Sequence, residues 1–138
     1  MVPQSQSFHN LVSSDMQMLG ERVILVVEDE PSIGSLLERV LARGGYAVQL
    51  CASPEAALKA QGPYRLAIVD YSLPGMDGLV LIDRLRRRQP DLPVVLCSGM
   101  PMNPPVLDPP VHFVQKPYRP RQLAELVALL IAPAVGSV

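Results

Sequence analysis

Val23-Ile24-Leu25-Val26-Val27 runs without interruption into Glu28-Asp29-Glu30-Pro31. An apolar run of five residues that ends abruptly on two acids suits a strand buried on both faces, with its carboxyl end at a polar edge. Three later stretches repeat the pattern. Leu66-Ala67-Ile68-Val69 leads into Asp70, Pro93-Val94-Val95-Leu96-Cys97 into Ser98, and Val111-His112-Phe113-Val114-Gln115 into Lys116-Pro117. In an open parallel sheet, ligands bind outside the carboxyl ends of the strands. Glu28, Asp29, Asp70, Ser98 and Lys116 therefore meet at one edge. Such a set can hold a divalent cation and a phosphoryl group, with Asp70 as nucleophile.

The segments between these strands alternate with them. Pro31 suits a first helical turn. Ile33, Leu36, Leu37, Val40 and Leu41 then share one helical face, and Gly44-Gly45 ends that helix. Ala47 to Cys51 reads as a second strand. Ser53 is placed to cap a short helix with Pro54 at its first position, running to about Ala60, where Gln61-Gly62-Pro63 breaks the chain. Tyr71 to Gly78 is a loop by composition, and Leu79 to Arg88 a third helix. Its Arg84, Arg86, Arg87 and Arg88 read as a solvated basic face near a helix C-terminus rather than an anion site. Between Gly99 and Pro110, five prolines (Pro101, Pro104, Pro105, Pro109, Pro110) leave no room for a regular helix. Its apolar residues Met100, Met102, Val106 and Leu107 are expected to be exposed, as a partner-docking loop. Leu123, Leu126, Val127, Leu130 and Ile131 form a last amphipathic helix, stopped by Pro133. Strand–helix alternation implies an α/β fold with a parallel sheet and right-handed crossovers.

The 138 residues suffice for one domain with one core. A net charge of −1 gives no general affinity for nucleic acid or for anionic membrane. No apolar stretch approaches the ~20 residues of a membrane span, and residues 1–20 lack the basic and apolar blocks of a signal peptide. That segment reads as a disordered leader, with Met18 an alternative start, residues 21–132 as the domain, and 133–138 as a short tail. A cytoplasmic location follows as the expectation. Cys51 and Cys97 are the only cysteines and read as free thiols.

Taken together, Val26-Val27-Glu28-Asp29-Glu30-Pro31, Val69-Asp70-Tyr71-Ser72-Leu73-Pro74-Gly75-Met76-Asp77-Gly78, Ser98-Gly99 and Lys116-Pro117 resemble the receiver domain of bacterial two-component response regulators. The resemblance covers residues 23–131. It implies a flavodoxin-like doubly wound, five-stranded parallel sheet of order 2-1-3-4-5. Asp70 matches the phosphoacceptor, a carboxylate able to form an acyl phosphate. Asp29, Asp70 and the Ser72 backbone carbonyl match the ligands of Mg2+ (or Mn2+), with Glu28 acting through water. Lys116 matches the cation that contacts the phosphoryl oxygen, and Pro117 a cis-proline beside it. Ser98 and Phe113 match the switch pair, Phe113 lacking a hydroxyl. His112 is expected to be a plain edge-strand residue. The departure from the family is the proline-rich loop in place of its fourth helix, which normally lies between the fourth and fifth strands.

The implied function is that of a response regulator receiver, taking a phosphoryl group from a histidine kinase or histidine phosphotransfer protein. It assists its own modification but turns over no outside substrate. Only a few residues follow the last helix, so output is expected through contact with an unknown protein, or as a phosphate relay or sink. Competing expectations are a phosphorylation-independent pseudo-receiver, or the receiver piece of a hybrid histidine kinase. A metal-dependent phosphatase would need a second acid beside Asp70, which Tyr71 and Ser72 do not supply. A flavin or nucleotide binder would need a glycine cradle where Glu28-Asp29-Glu30-Pro31 stands.

Overall fold

A computed structural model describes residues 23–103 and 105–131. The expected leader at 1–20, the tail at 133–138, the alternative start at Met18, and Pro104 and Pro133 lie outside the described residues. The elements are β1 (Val23–Val27), α1 (Pro31–Arg43), β2 (Ala47–Cys51), α2 (Pro54–Lys59), β3 (Leu66–Asp70), α3 (Gly78–Arg88), β4 (Val94–Ser98), β5 (Val111–Gln115) and α4 (Pro120–Leu130). All strand pairs are parallel, and the sheet order is β2-β1-β3-β4-β5. This is the flavodoxin-like order.

Side chains alternate across the sheet, and the two faces carry separate cores. On one face Leu25, Val27, Ala67, Val69, Val94 and Leu96 pack with α2 and α3 through Ala57, Leu81, Ile82 and Leu85. On the other, Ile24, Val26, Ile68, Val95 and Cys97 pack with α1 and α4 through Leu37, Leu41, Leu123 and Val127. Burial of β1, β3 and β4 is nearly complete. The fourth apolar stretch behaves differently. β5 is an edge strand, and His112, Phe113 and Val114 are only half-buried. No helix lies between β4 and β5 among the described residues, and the segment there is irregular. Met100, Val106 and Leu107 are exposed as expected, but Met102 turns inward against the core. Leu36 leaves the apolar stripe of α1 for solvent, at 39% exposure, and Gly34 takes the buried place on that face.

Helix boundaries follow local chemistry. Ser53 Oγ accepts from the Ala56 N–H at 3.1 Å, capping α2. Asp77 Oδ1 accepts from the Val80 N–H at 3.0 Å, capping α3. After α1 the chain reverses at Gly45, whose φ of +91° disfavours any residue with a Cβ.

The arginine run departs from the solvated face read in the sequence. Arg87 does pair with Asp83 in solvent at 3.0 Å. Arg86, however, is half-buried, and its guanidinium brackets two loops. Nε and Nη2 donate to the Leu92 carbonyl at 3.1 and 3.0 Å, Nη1 to Pro109 O at 2.6 Å, and Nη2 to Pro110 O at 3.3 Å. Arg88 donates to the Leu58 and Ala60 carbonyls at the end of α2. The planar fork of Arg86 spans carbonyls that one ammonium cannot. Arg86→Ala is expected to cost about 2–3 kcal/mol by urea unfolding, and Arg86→Lys to recover less than half. Equal stability of the lysine variant and the parent would show that charge, not the fork, ties the loops.

Candidate functional site

The carboxyl ends of β1, β3 and β4 and the β5–α4 connection bring the expected residues together. β1 ends at Val27, so Glu28 and Asp29 lie at its carboxyl edge. Asp70 is the last residue of β3, and Ser98 the last of β4. Asp70 pairs in register with Cys97, next to Ser98. Gln115 closes β5 and hands Lys116 to the same edge, where the Lys116 N–H donates to the Ser98 carbonyl at 2.7 Å.

One oxygen from each of Glu28, Asp29 and Asp70 falls within a cluster whose atoms all lie within 4.8 Å of one another. Glu28 and Asp70 are buried, at 4% and 7% exposure, while Asp29 faces solvent. Lys116 Nζ stands 3.2 Å from Glu28 Oε1 and 3.2 Å from Asp70 Oδ2, bridging the two buried acids. The acids are also held by backbone donors. The Glu30 N–H donates to Glu28 Oε2 at 3.2 Å, and the Ser72 N–H to Asp70 Oδ1 at 3.3 Å. Burial raises the Glu28 carboxyl above its ordinary range, and Asp70 adds to that; the Glu30 N–H and Lys116 oppose it. At Lys116 burial works to discharge the ammonium, but Glu28 and Asp70 outweigh it, so it stays cationic.

Ser98 is 1% exposed, and its Oγ accepts from the Met100 N–H at 3.1 Å. Phe113 pairs with Leu96, and Gln115 with Ser98. Residues two apart share a sheet face, so Ser98 and Phe113 look toward the same side of the sheet on adjacent strands. The Lys116–Pro117 peptide is cis. His112 lies half-buried on the edge strand, away from the acid cluster by register. Cys51 and Cys97 are both free and buried. Burial pushes the Cys97 thiol up to about 12, so it is protonated and inert at neutral pH.

A family model for the response regulator receiver domain matches residues 24–128. The chain belongs to that family. Transcriptional activator protein PfeR of Pseudomonas aeruginosa is 34% identical to this receiver over 99 residues, 70% of this chain and 32% of PfeR. Among solved structures, response regulator TrrA of Thermotoga maritima, crystallised with Mg2+ and a beryllium fluoride, is 32% identical with a TM-score of 0.70. The match covers 80% of this chain and 99% of TrrA. The receiver of the hybrid histidine kinase CckA is 34% identical with a TM-score of 0.66, covering 78% of this chain and 96% of that one. The receiver spans about a third of the length of curated relatives such as PfeR and TctD of Salmonella typhimurium. No helix among the described residues is long and apolar enough to cross a membrane.

Three clustered carboxylates suit a hard divalent cation, which takes oxygen ligands. Against them stands one ammonium, so the cluster is electrostatically unfavourable when it holds no cation. Two unit charges at this spacing repel by about 1 kcal/mol even in water. Asp29→Asn removes one charge without changing shape. It is expected to raise the melting temperature in chelator by a few degrees, for a gain of about 0.5–1 kcal/mol. Asp29→Ala is expected to weaken Mg2+ binding by at least about tenfold. A lower chelator melting temperature for the Asn variant would count against a shared acidic pocket.

Two contributors escaped the sequence reading. Gly78 was read as a loop residue, yet it opens α3 in direct backbone contact with Asp70. An apolar groove of about 450 Å³ also opens beside Lys116, between α1 and the β5–α4 connection, lined by Ile33, Leu36, Leu37, Pro117 and Tyr118. Leu36 lines this groove at 39% exposure, whereas helical periodicity assigns it to the core, so the sequence carries no local signal for the groove.

Proposed function

We propose that this receiver accepts a phosphoryl group on Asp70 from a phosphohistidine of a histidine kinase or phosphotransfer protein. The observation that supports it best is the bridge from Lys116 Nζ to Glu28 and Asp70, inside a triple-carboxylate cluster at the strand ends. An Asp70 oxygen attacks phosphorus, the P–N bond to the donor imidazole breaks, and an acyl phosphate remains on Asp70. Asp29, Asp70 and the Ser72 carbonyl would hold Mg2+, with Glu28 through water. That ion supplies charge neutralisation for the incoming phosphoryl oxygens. Lys116 already sits where a phosphoryl oxygen on Asp70 would need a cation, and it exchanges its contact with Asp70 for one with that oxygen. Ser98 can turn its hydroxyl from the Met100 N–H to the same group, releasing the start of the 99–110 loop. Phe113, on the same face, follows into the space left behind. The domain assists its own modification and hydrolysis, and processes no outside substrate. The signal passes to an output protein through the 99–110 loop.

The apolar groove beside Lys116 supports a protein donor, since an apolar side of a partner helix could lie in it next to the acids. Leu36→Glu places a charge in that groove without touching the acids. Transfer from a phosphohistidine protein is expected to slow by about tenfold or more. Labelling by acetyl phosphate with Mg2+ should be unchanged. A wild-type chain that takes no label from either donor would leave a phosphorylation-independent module as the better reading.

A further inference from the structure

We propose that this receiver carries a second binding site, at the pole of the sheet opposite the acids, for a small flat aromatic molecule bearing one carboxylate. A cavity of about 480 Å³ opens there, between the end of α2, the 61–64 connection and the last turn of α3. Pockets for small molecules measure roughly 300–1,000 Å³ and combine an apolar lining with a few placed polar groups. Leu85, Leu92 and the Tyr64 ring, all part of the core behind α2 and α3, form the apolar side. A Cβ at Gly62 would stand 3.0 Å from Tyr64 Cδ2 and 3.1 Å from Cε2, so the glycine leaves that side of the ring bare.

The arginines near the end of α3 differ in what they meet. Arg87 spends its charge on Asp83, and Arg86 is bracketed by the carbonyls of Leu92, Pro109 and Pro110. Arg88 lines the cavity. Its Nη1 donates to the Ala60 carbonyl at 3.2 Å and its Nη2 to the Leu58 carbonyl at 2.5 Å, which holds the guanidinium in place with neutral partners. Among the described residues no carboxylate forms an ion pair with it. A guanidinium has five N–H donors, so three remain after these two. Gln89, also on the cavity wall, is fixed by the two bonds of its amide to the Tyr64 backbone. The walls are therefore set before a ligand arrives, which lowers the cost of binding.

One cation and no acid line the cavity, which matches a single negative charge and not a polyphosphate. A carboxylate takes parallel bonds from a guanidinium fork. A flat ring suits the remaining space, because a tyrosine ring and a guanidinium both stack on aromatic faces. None of these residues belongs to the acidic edge, so occupancy does not require phosphoryl transfer to Asp70.

Titration of the isotope-labelled full chain with naphthoate, followed through its amide shifts, tests the site, with naphthamide as the uncharged control. Naphthoate is expected to bind the parent with a Kd on the order of 1 mM, the shifts centring on residues 61–64 and 88–92. Arg88→Met keeps an apolar stem and removes the charge. Naphthoate should bind that variant about tenfold more weakly, while naphthamide should bind parent and variant alike. A mere loosening of the α2 end would instead weaken both probes equally, and that result overturns the proposal. So does the absence of shifts up to about 10 mM naphthoate, equal binding of acid and amide by the parent, or shifts centred on the groove between α1 and Pro117.

Discussion

Asp70→Asn is expected to take no phosphoryl group from acetyl phosphate in the presence of Mg2+, while the parent is expected to gain one that hydroxylamine removes. The reason is confined to one atom. Asparagine keeps the shape of the side chain and an oxygen for the Ser72 N–H, so the strand-end geometry survives. It lacks the carboxylate nucleophile needed for an acyl phosphate, and labelling is expected to fall to background. Stability should change little, because Lys116 keeps its partner Glu28 at 3.2 Å. Intact mass before and after hydroxylamine reads the result, since hydroxylamine cleaves an acyl phosphate and leaves a serine phosphate. Full labelling of Asp70→Asn would move the acceptor elsewhere. A label resistant to hydroxylamine would point to Ser72 or Ser98 instead.

Gly78→Ala is expected to destabilise the domain by about 3 kcal/mol. Two effects oppose each other. Alanine is favoured over glycine inside a helix by about 1 kcal/mol. Against that, a Cβ at Gly78 would sit 2.8 Å from the Asp70 carbonyl oxygen, 2.9 Å from Tyr71 Cα and 3.0 Å from Leu96 Cδ1. Leu96 could rotate away, but the two backbone atoms cannot move without shifting the end of β3. The Gly78 N–H also donates to the Tyr71 carbonyl at 2.9 Å, pinning the approach. The steric cost therefore wins. Because the displaced backbone carries Asp70, phosphorylation should slow as well. Urea unfolding measures the first effect and acetyl phosphate labelling the second. A loss below about 1 kcal/mol would mean that α3 slides to absorb the methyl.

The sheet and its acidic edge were legible because their signals are local and repeated. Each of Val23–Val27, Leu66–Val69 and Val94–Cys97 is too short for a helix and ends on a chemically distinct residue. Ser53-Pro54 announced a helix start, and its hydroxyl does cap α2. The proline count between Gly99 and Pro110 correctly excluded a helix. What stayed hidden depends on contacts between distant segments. Composition makes Arg86 look like Arg87, and only the fold shows that it reaches Leu92 and Pro109. Met102 and Leu36 exchanged their expected environments because helical period and loop composition say nothing of what packs opposite. β5 has an apolar sequence like the other strands, and its half-burial comes from its place at the sheet edge. Gly78 needed the distance to a carbonyl eight residues back.

The far end of α3 has a bearing on how this domain tolerates change. Arg86, Arg88 and Gln89 close that helix by reaching into three other connections. The Gln89 amide meets both backbone groups of Tyr64, accepting from its N–H at 2.9 Å and donating to its carbonyl at 2.6 Å. These knots lie at the amino-terminal end of the strands, opposite the acids. In native-state hydrogen exchange that end should open as one cooperative block, at a free energy near that of global unfolding, while the acid-bearing loops open far more easily. Asp70→Asn, which changes one side chain at the acidic edge and leaves its backbone alone, should therefore leave the exchange of that distant block unaltered.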